Sequence, residues 1–201
     1  MNSVDTIFPQ VQEFVDGPPN PDRVFSSQNV ESKRLMFEMV LEDLKIDPYS
    51  INNVLVMAAG KGAEVIAAKD VFPNSSIVAV GLENLDIYAK DDNRVTFNQT
   101  QHSEFIQNNP QLVKIFDIVT LVNSGEKHQL DDPINVDGLS KMLSSQGVLI
   151  TMGDNNNLEL SKAFGECFKP HSESRGLKYA YSLWVSKHKN SIASINDKYF
   201  Q

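Results

Sequence analysis

The feature that most constrains this chain is the regular alternation of short apolar runs with helical segments between residues 53 and 152. Asn53 to Met57 is apolar, the turn Gly60-Lys61-Gly62 follows, and a helical segment then runs from Ala63 to Phe72. Pro73-Asn74 turns into the β-branched run Ser76 to Leu82. Arg94 to Asn98 and Phe116 to Val122 read as the third and fourth strands, and Gly147 to Met152 as a fifth, preceded by a helix from Asn135 to Leu143. Most of these runs are apolar at successive positions, the pattern of strands covered by helices on both faces. Units of this length imply parallel strands joined by right-handed crossovers. The expected fold class is α/β, a doubly wound and mostly parallel sheet.

The flanks are less regular. Gly17-Pro18-Pro19-Asn20-Pro21 breaks any helix begun by Val11 to Val15, so residues 1–28 are expected to form an arm or lid. Asn29 reads as an N-cap, and Val30, Phe37, Val40, Leu41 and Leu44 form an apolar stripe at helical spacing that ends at Asp47-Pro48. The folded domain is placed at residues 29–189, with residues 190–201 as a tail. Leu177 to Lys187 alternates apolar and polar positions and is expected to be a half-exposed, antiparallel edge strand, with Tyr179, Tyr181 and Trp184 packing along it. One strand is legible there, not a hairpin.

Composition narrows the function. The net charge is −8 and the basic residues are scattered, so no basic field favours a polyphosphate backbone, and direct nucleic-acid binding is not expected. The N-terminus lacks a basic and apolar leader, and no stretch reaches the roughly 18 apolar residues of a membrane span. A soluble, cytoplasmic protein with no membrane partner is expected. The single cysteine, Cys167, has no partner in the chain and sits between Phe164 and Phe168, read here as helical, so it is expected to be a buried small hydrophobe. His171 and His188 have no spacing that suggests a metal.

In open parallel sheets, ligands bind beyond the carboxyl ends of the strands where strand order reverses. The candidates are therefore Ala58 to Gly62, Gly81 to Asn84, Gln99 to Ser103 and Asn123 to Asp132. Gly-x-Gly alone is a weak signal, equally consistent with a tight strand-to-helix turn. A dinucleotide site wants a third glycine, where Val65 stands, although Glu83 lies about 20 residues on.

A wider resemblance runs through residues 30–187. Val54-Leu55-Val56-Met57-Ala58-Ala59-Gly60-Lys61-Gly62 resembles the first motif of the class I S-adenosylmethionine-dependent methyltransferases. Pro73 to Lys90 is similar to that family's second strand and helix, and Phe116-Asp117-Ile118-Val119 to its fourth-strand opening. His128-Gln129-Leu130-Asp131-Asp132-Pro133 resembles the segment leading into the next helix. Leu139 to Ile150, with Gln146-Gly147-Val148, is similar to its helix, glycine turn and fifth strand. The resemblance implies S-adenosylmethionine bound by Ala58, Gly60, Gly62, Gly81, Leu82, Glu83, Gln101, His102 and Asn123. Candidate acid–base groups cluster after the fourth strand as Glu126, His128, Asp131 and Asp132, of which His128 and Glu126 are taken as catalytic; a solvated polar loop is the alternative reading. His102 is read either as facing the adenine or as opening the helix at Ser103-Glu104.

The chain departs from the family where acids are expected. Val56 replaces the acid of the first motif and Ala58 its first glycine; Gly81 replaces the acid that chelates the ribose; Gln101, or Thr100 if the alignment slips by one, replaces the acid near the adenine. Glu83 is a replacement for the ribose acid only if the second strand continues past Gly81. Asn123-Ser124-Gly125 is not the Asn/Asp-Pro-Pro-aromatic motif of base-amine methyltransferases. Three functions stay open: a methyltransferase for a small molecule or protein side chain, a catalytically silent methyltransferase-like binding or regulatory subunit, and an NAD(P)-dependent oxidoreductase. A homodimer or a heteromeric partner also stays open.

Overall fold

Seven strands form one sheet in the order β3-β2-β1-β4-β5-β7-β6. The computed structural model describes residues 27–85, 89, 91–122, 132–152, 162–171 and 181–187. The strands are β1 (Asn53–Met57), β2 (Ser76–Gly81), β3 (Val95–Gln99), β4 (Phe116–Val122), β5 (Leu143–Met152), β6 (Phe168–Pro170) and β7 (Ser182–Ser186). The first five run parallel, while β7 is antiparallel to both β5 and β6. Strand order reverses between β1 and β4, which places the expected ligand cleft beyond their carboxyl ends.

Two apolar layers flank the sheet. On one face α1 (Ser27–Leu44) and α2 (Ala63–Val71) cover Val54, Val56, Ile77, Ile118, Ile150 and Leu183. The predicted stripe of α1 is buried as Phe37, Val40 and Leu41, with Val30 and Leu44 packed at its margin. On the other face α3 (His102–Asn108), α4 (Pro133–Met142) and α5 (Lys162–Cys167) contribute to the layer containing Leu55, Met57, Val80, Val119, Leu149 and Trp184. Neighbouring residues of β1 therefore enter different cores, which is why that run carries no polar alternation. Phe37 meets Phe72 edge-on at 5.0 Å, tying α1 to the end of α2. Burying one such ring is worth about 2–3 kcal/mol.

At the amino edge, Asp117 joins three strands. Its Oδ2 accepts from Asn52 N at 2.9 Å and Asn53 N at 3.2 Å, and its Oδ1 accepts from Ser144 Oγ at 2.9 Å. The acid in the fourth-strand opening is thus structural and lies at the end of the sheet away from the cleft. Arg94 performs a similar service for α2. Its Nη1 donates to Pro73 O at 2.8 Å, Phe72 O at 3.3 Å and Lys69 O at 3.4 Å, carbonyls in the last turn of the helix and just beyond it. Nε and Nη2 grip both oxygens of Asp92, and this guanidinium holds the Asp92 carboxyl down at about 2, with Lys69 adding to the effect.

A folded-state pKa below the unfolded value stabilises the protein above the ordinary aspartate range, and the gain disappears as pH falls toward 2. Asp92→Asn should cost about 1 kcal/mol at pH 6, after allowance for solvent screening. Denaturant melts at pH 6 and pH 2.5 check this: the gap between the two proteins should shrink at the lower pH, and a constant gap would assign the loss to hydrogen bonding alone.

Several sequence expectations are corrected. Helix α1 begins at Ser27, so Asn29 lies inside its first turn and is not the cap; helix starts carry little periodic signal. Strand β3 is shifted by one residue, to Val95–Gln99. Helix α4 starts at Pro133, before the expected Asn135, because Asp132 caps it by accepting from Ile134 N at 2.9 Å. Strand β5 begins at Leu143, and its pairing with β4 is irregular between Phe116 and Ile118.

The largest correction is at the far edge. Phe168 is not helical; it opens the short strand β6, which pairs Phe168 with Ser186 and Pro170 with Trp184. The C-terminal element is therefore a pair of strands, and β7 is an inner strand, not a half-exposed edge: Leu183 to Ser186 are all buried. Residues 177–180 of the expected strand, Tyr179 among them, fall outside the described residues. Trp184 Nε1 donates to Thr151 Oγ1 at 2.9 Å, and Tyr181 Oη donates to Asp43 Oδ2 at 2.7 Å. Cys167 ends α5 half-buried beside the second core, and burial pushes its thiol upward, away from thiolate chemistry.

Candidate functional site

The residues after β1 form a turn of unusual backbone. Ala58 has φ +57°, Gly60 +51° and Gly62 +99°, all in the left-handed region. For Ala58 this conformation costs about 1 kcal/mol or more, since its Cβ crowds the next carbonyl. The chain thus follows the path of a glycine-rich turn even at Ala58, where the resemblance expects the first glycine. Three hydrogen bonds hold it: Ala59 N to Val80 O at 2.9 Å, Gly62 N to Ala59 O at 2.8 Å and Ile66 N to Gly62 O at 3.0 Å. The first ties the turn to the end of β2, and the last launches α2.

Gly62 leaves no room for a side chain: an added Cβ would lie 2.5 Å from Ala89 Cβ and 3.3 Å from Leu85 Cδ2. Gly81, which ends β2, differs. An added Cβ would lie 3.4 Å from Ala59 N and 3.6 Å from Gly60 N, ordinary contact distances, with no backbone strain. The position where an acid is expected is therefore shaped to accept one, directly against the turn's amide nitrogens.

Ala58, Gly60, Gly62 and Gly81 are brought together as expected. Leu82 and Glu83 follow at once, both exposed, but β2 stops at Gly81, so Glu83 does not continue its strand register. Gln99 Nε2 donates to Leu82 O at 3.1 Å, and Thr100 N donates to Gly81 O at 3.1 Å, holding the β3 end beside the β2 end. Gln101 is exposed at the N-cap of α3 and makes no side-chain cap bond. His102 is the first helical residue and is buried, one position earlier than the Ser103-Glu104 start. Asn123, Glu126 and His128 lie outside the described residues.

Three buried polar side chains escaped the sequence reading. Glu64, in the first turn of α2, is 5% exposed; Thr120, near the end of β4, is fully buried; and Asn135, in the first turn of α4, is 5% exposed. Among the described residues, Asn135 Oδ1 has no hydrogen-bond partner, and Glu64 Oε1 and Thr120 Oγ1 have none beyond the approach of the Thr120 hydroxyl to the Glu64 carboxyl. Burial pushes the Glu64 carboxyl upward, opposed by the Lys33 charge and the Thr120 hydroxyl. Burial pushes the Lys33 ammonium downward, opposed in turn by Glu64. The available signal was a carboxylate inside the otherwise apolar stretch Ala63 to Ala68.

A cavity of about 330 Å³ lies between the outer sides of α3 and α4, lined by residues including Ile106, Val113, Ile134 and Met142, and by none of the turn residues. Among the described residues no cluster of His, Cys, Asp or Glu could hold a metal ion, and no helix is long and apolar enough to cross a membrane.

No protein-family model and no curated protein matches the sequence. Solved structures do match it. The MycE methyltransferase of the mycinamycin biosynthetic pathway, in complex with Mg and SAH, is 12% identical with a TM-score of 0.54 over 84% of this chain and 51% of that one. This chain therefore spans about half of that protein's length. The fibrillarin/Nop5p complex gives 16% identity and a TM-score of 0.59 over 85% of this chain and 90% of that one. The 1,6-didemethyltoxoflavin-N1-methyltransferase of Burkholderia thailandensis, with 1,6-didemethyltoxoflavin and S-adenosylhomocysteine bound, gives 16% and 0.51 over 79% and 76%. The chain has the fold of the class I S-adenosylmethionine-dependent methyltransferases, with the antiparallel β7 inserted between β5 and β6.

Proposed function

We propose that this chain binds S-adenosylmethionine at the turn Ala58 to Gly62 and transfers its methyl group to a small molecule or a protein side chain. The observation that carries the reading is the left-handed backbone at Ala58. A strained alanine conformation kept at a ligand-facing turn is hard to explain by packing alone, because glycine there would be cheaper. Gly60 and Gly62 let the backbone approach a ligand closely, and the N-terminus of α2 faces the same cleft. Leu82 offers an exposed apolar surface beside Gly81, and Gln101 and His102 stand at the neighbouring strand end, where an adenine edge would be met. When bound, the cofactor supplies an electrophilic methyl group on a sulfonium, so the protein's own work is to orient, to exclude water and to accept a proton. Glu126 and His128, after β4, are the proposed proton acceptors.

Calorimetric titration with S-adenosylmethionine and S-adenosylhomocysteine tests the reading. Micromolar binding is expected; no binding at millimolar concentration would overturn it. The latter result would favour a catalytically silent binding subunit, the reading to which Val56, Gly81 and Gln101 lend weight by omitting all three expected acids. An oxidoreductase reading is disfavoured by Val65, fully buried where the dinucleotide fingerprint has its third glycine, and by the antiparallel β7.

A further inference from the structure

The cavity between α3 and α4 lies apart from the turn and takes no part in the cofactor reading. Ile106 and Met142 line it from the core side, while Val113 and Ile134 line it at 44% and 65% exposure. Ile115, also exposed, stands two residues from Val113. Apolar side chains scattered singly over a surface need no explanation, but several along one groove mark a place that something covers. Asp137 and Lys141, the charged residues of the lining, bond each other at 2.5 Å. The groove thus offers its occupant an apolar surface with no net charge.

Its length is also defined. From Ile134 to Lys141 it follows two turns of α4, about 10 Å. An apolar stripe of two helical turns matches that length, and residues 188–201 carry one. Ile192, Ile195 and Tyr199 recur at i, i+3 and i+7, with Ser194, Asp197 and Lys198 falling on the other side. Ser191, just before the stripe, is a residue favoured at an N-cap. The described chain leads to the same helix. Ser186 Oγ at the end of β7 lies 2.6 Å from Ser140 Oγ of α4, and Lys187 Nζ donates to Gly165 O of α5. Residues 188–191 reach about 13 Å when extended, enough to pass a helix about 10 Å across. Residues 1–26 are worse placed, because they lead into α1, which covers the opposite face of the sheet.

We propose that residues 192–199 form a helix seated in the groove between α3 and α4 of the same molecule, clasping the two helices together. Helix-in-groove docking of this kind rests on anchors at i, i+3 and i+7. Since α3 follows β3 and α4 follows β4, the clasp holds two sides of the cleft in a fixed relation.

A double-mutant cycle on the full chain, read by thermal melts, tests the proposal. Ile134 belongs to neither core layer, so Ile134→Asp leaves the fold itself intact. Ile134→Asp and Ile195→Asp should each lower Tm by about 4 °C, and the double variant by no more than about 5 °C, since both remove the same contact. Ser194→Asp, on the opposite side of the stripe, should leave Tm within about 1 °C. Hydrogen exchange of the full chain should show amides 193–199 slowed about tenfold, and Ile134→Asp should abolish the slowing. Losses that add, or an Ile195→Asp protein that melts with wild type, would overturn the proposal and leave the groove to another occupant. Coupling confined to concentrations at which the full chain sediments as a dimer would overturn it too, assigning the groove to residues 192–199 of a second copy.

Discussion

Gly62→Ala should lower the melting temperature by about 10 °C, the largest stability effect expected of any single methyl group in the turn. Two costs add. The backbone at φ +99° lies where an L side chain is rarely found, and the new Cβ would come within 2.5 Å of Ala89 Cβ and 3.3 Å of Leu85 Cδ2. Neither neighbour can swing away as a long flexible side chain could: one contact is a Cβ fixed to its backbone, and the other belongs to a buried leucine. Strain and overpacking together come to roughly 2–4 kcal/mol. Gly60→Ala is the internal comparison. Its φ is also positive, but its added Cβ would have Ala58 O at 4.0 Å as the nearest atom, so only the backbone cost of about 1 kcal/mol remains. Thermal melts of the two variants separate the terms, and equal losses would show that the segment around Ala89 yields freely.

Gly81→Asp should tighten S-adenosylhomocysteine binding by roughly tenfold or more, a gain made by one added carboxylate. The resemblance assigns this position to the acid that chelates the ribose hydroxyls. The backbone tolerates a side chain here, since the added Cβ meets Ala59 N at 3.4 Å and Ala59 Cβ at 3.9 Å without overlap. A hydrogen bond to a charged group contributes about 1.5–3 kcal/mol, which is the basis of the expected factor. Gly81→Asn, which has the same shape without the charge, should recover only part of it. Calorimetry on the two variants checks the order Asp, then Asn, then wild type. A Gly81→Asp protein that folds and binds no better than wild type would mean that ribose does not lie against the end of β2.

How much of this was legible beforehand differed by element. Strands β1 and β4 were read with their exact limits because Val54 to Met57 of β1, and Phe116, Ile118, Val119 and Leu121 of β4, belong to one of two opposed apolar layers. Their chemistry is local and repetitive, and bounding turns punctuate it. The C-terminal strands were different. Phe168-Lys169-Pro170 has no strand signature of its own, and contains a proline; it is extended because β7 offers it an edge to pair with. Likewise, alternation in Ser182 to Ser186 suggested one wet face, yet Ser186 is buried with its hydroxyl 2.6 Å from Ser140 Oγ on α4. A serine whose partner lies 46 residues away cannot be told from a solvated one by pattern alone.

The site divides along the same line. The amino-acid sequence by itself determined that a glycine-bearing turn follows the first strand, that acids are missing at Val56, Gly81 and Gln101, and that the sheet is parallel through β5. Those are statements about residue type and short-range order, and local sterics and periodicity suffice for them. Only the tertiary structure decided that Ala58 takes a glycine's conformation, that space for a carboxylate survives at Gly81, and that Glu64 and Thr120 are buried together beside Val56. Each of these depends on surfaces brought together across the fold: β2 against the turn, and α2 against β4 at the end of β1. Residue type states which groups can bond, whereas burial by distant segments decides which are left without a partner.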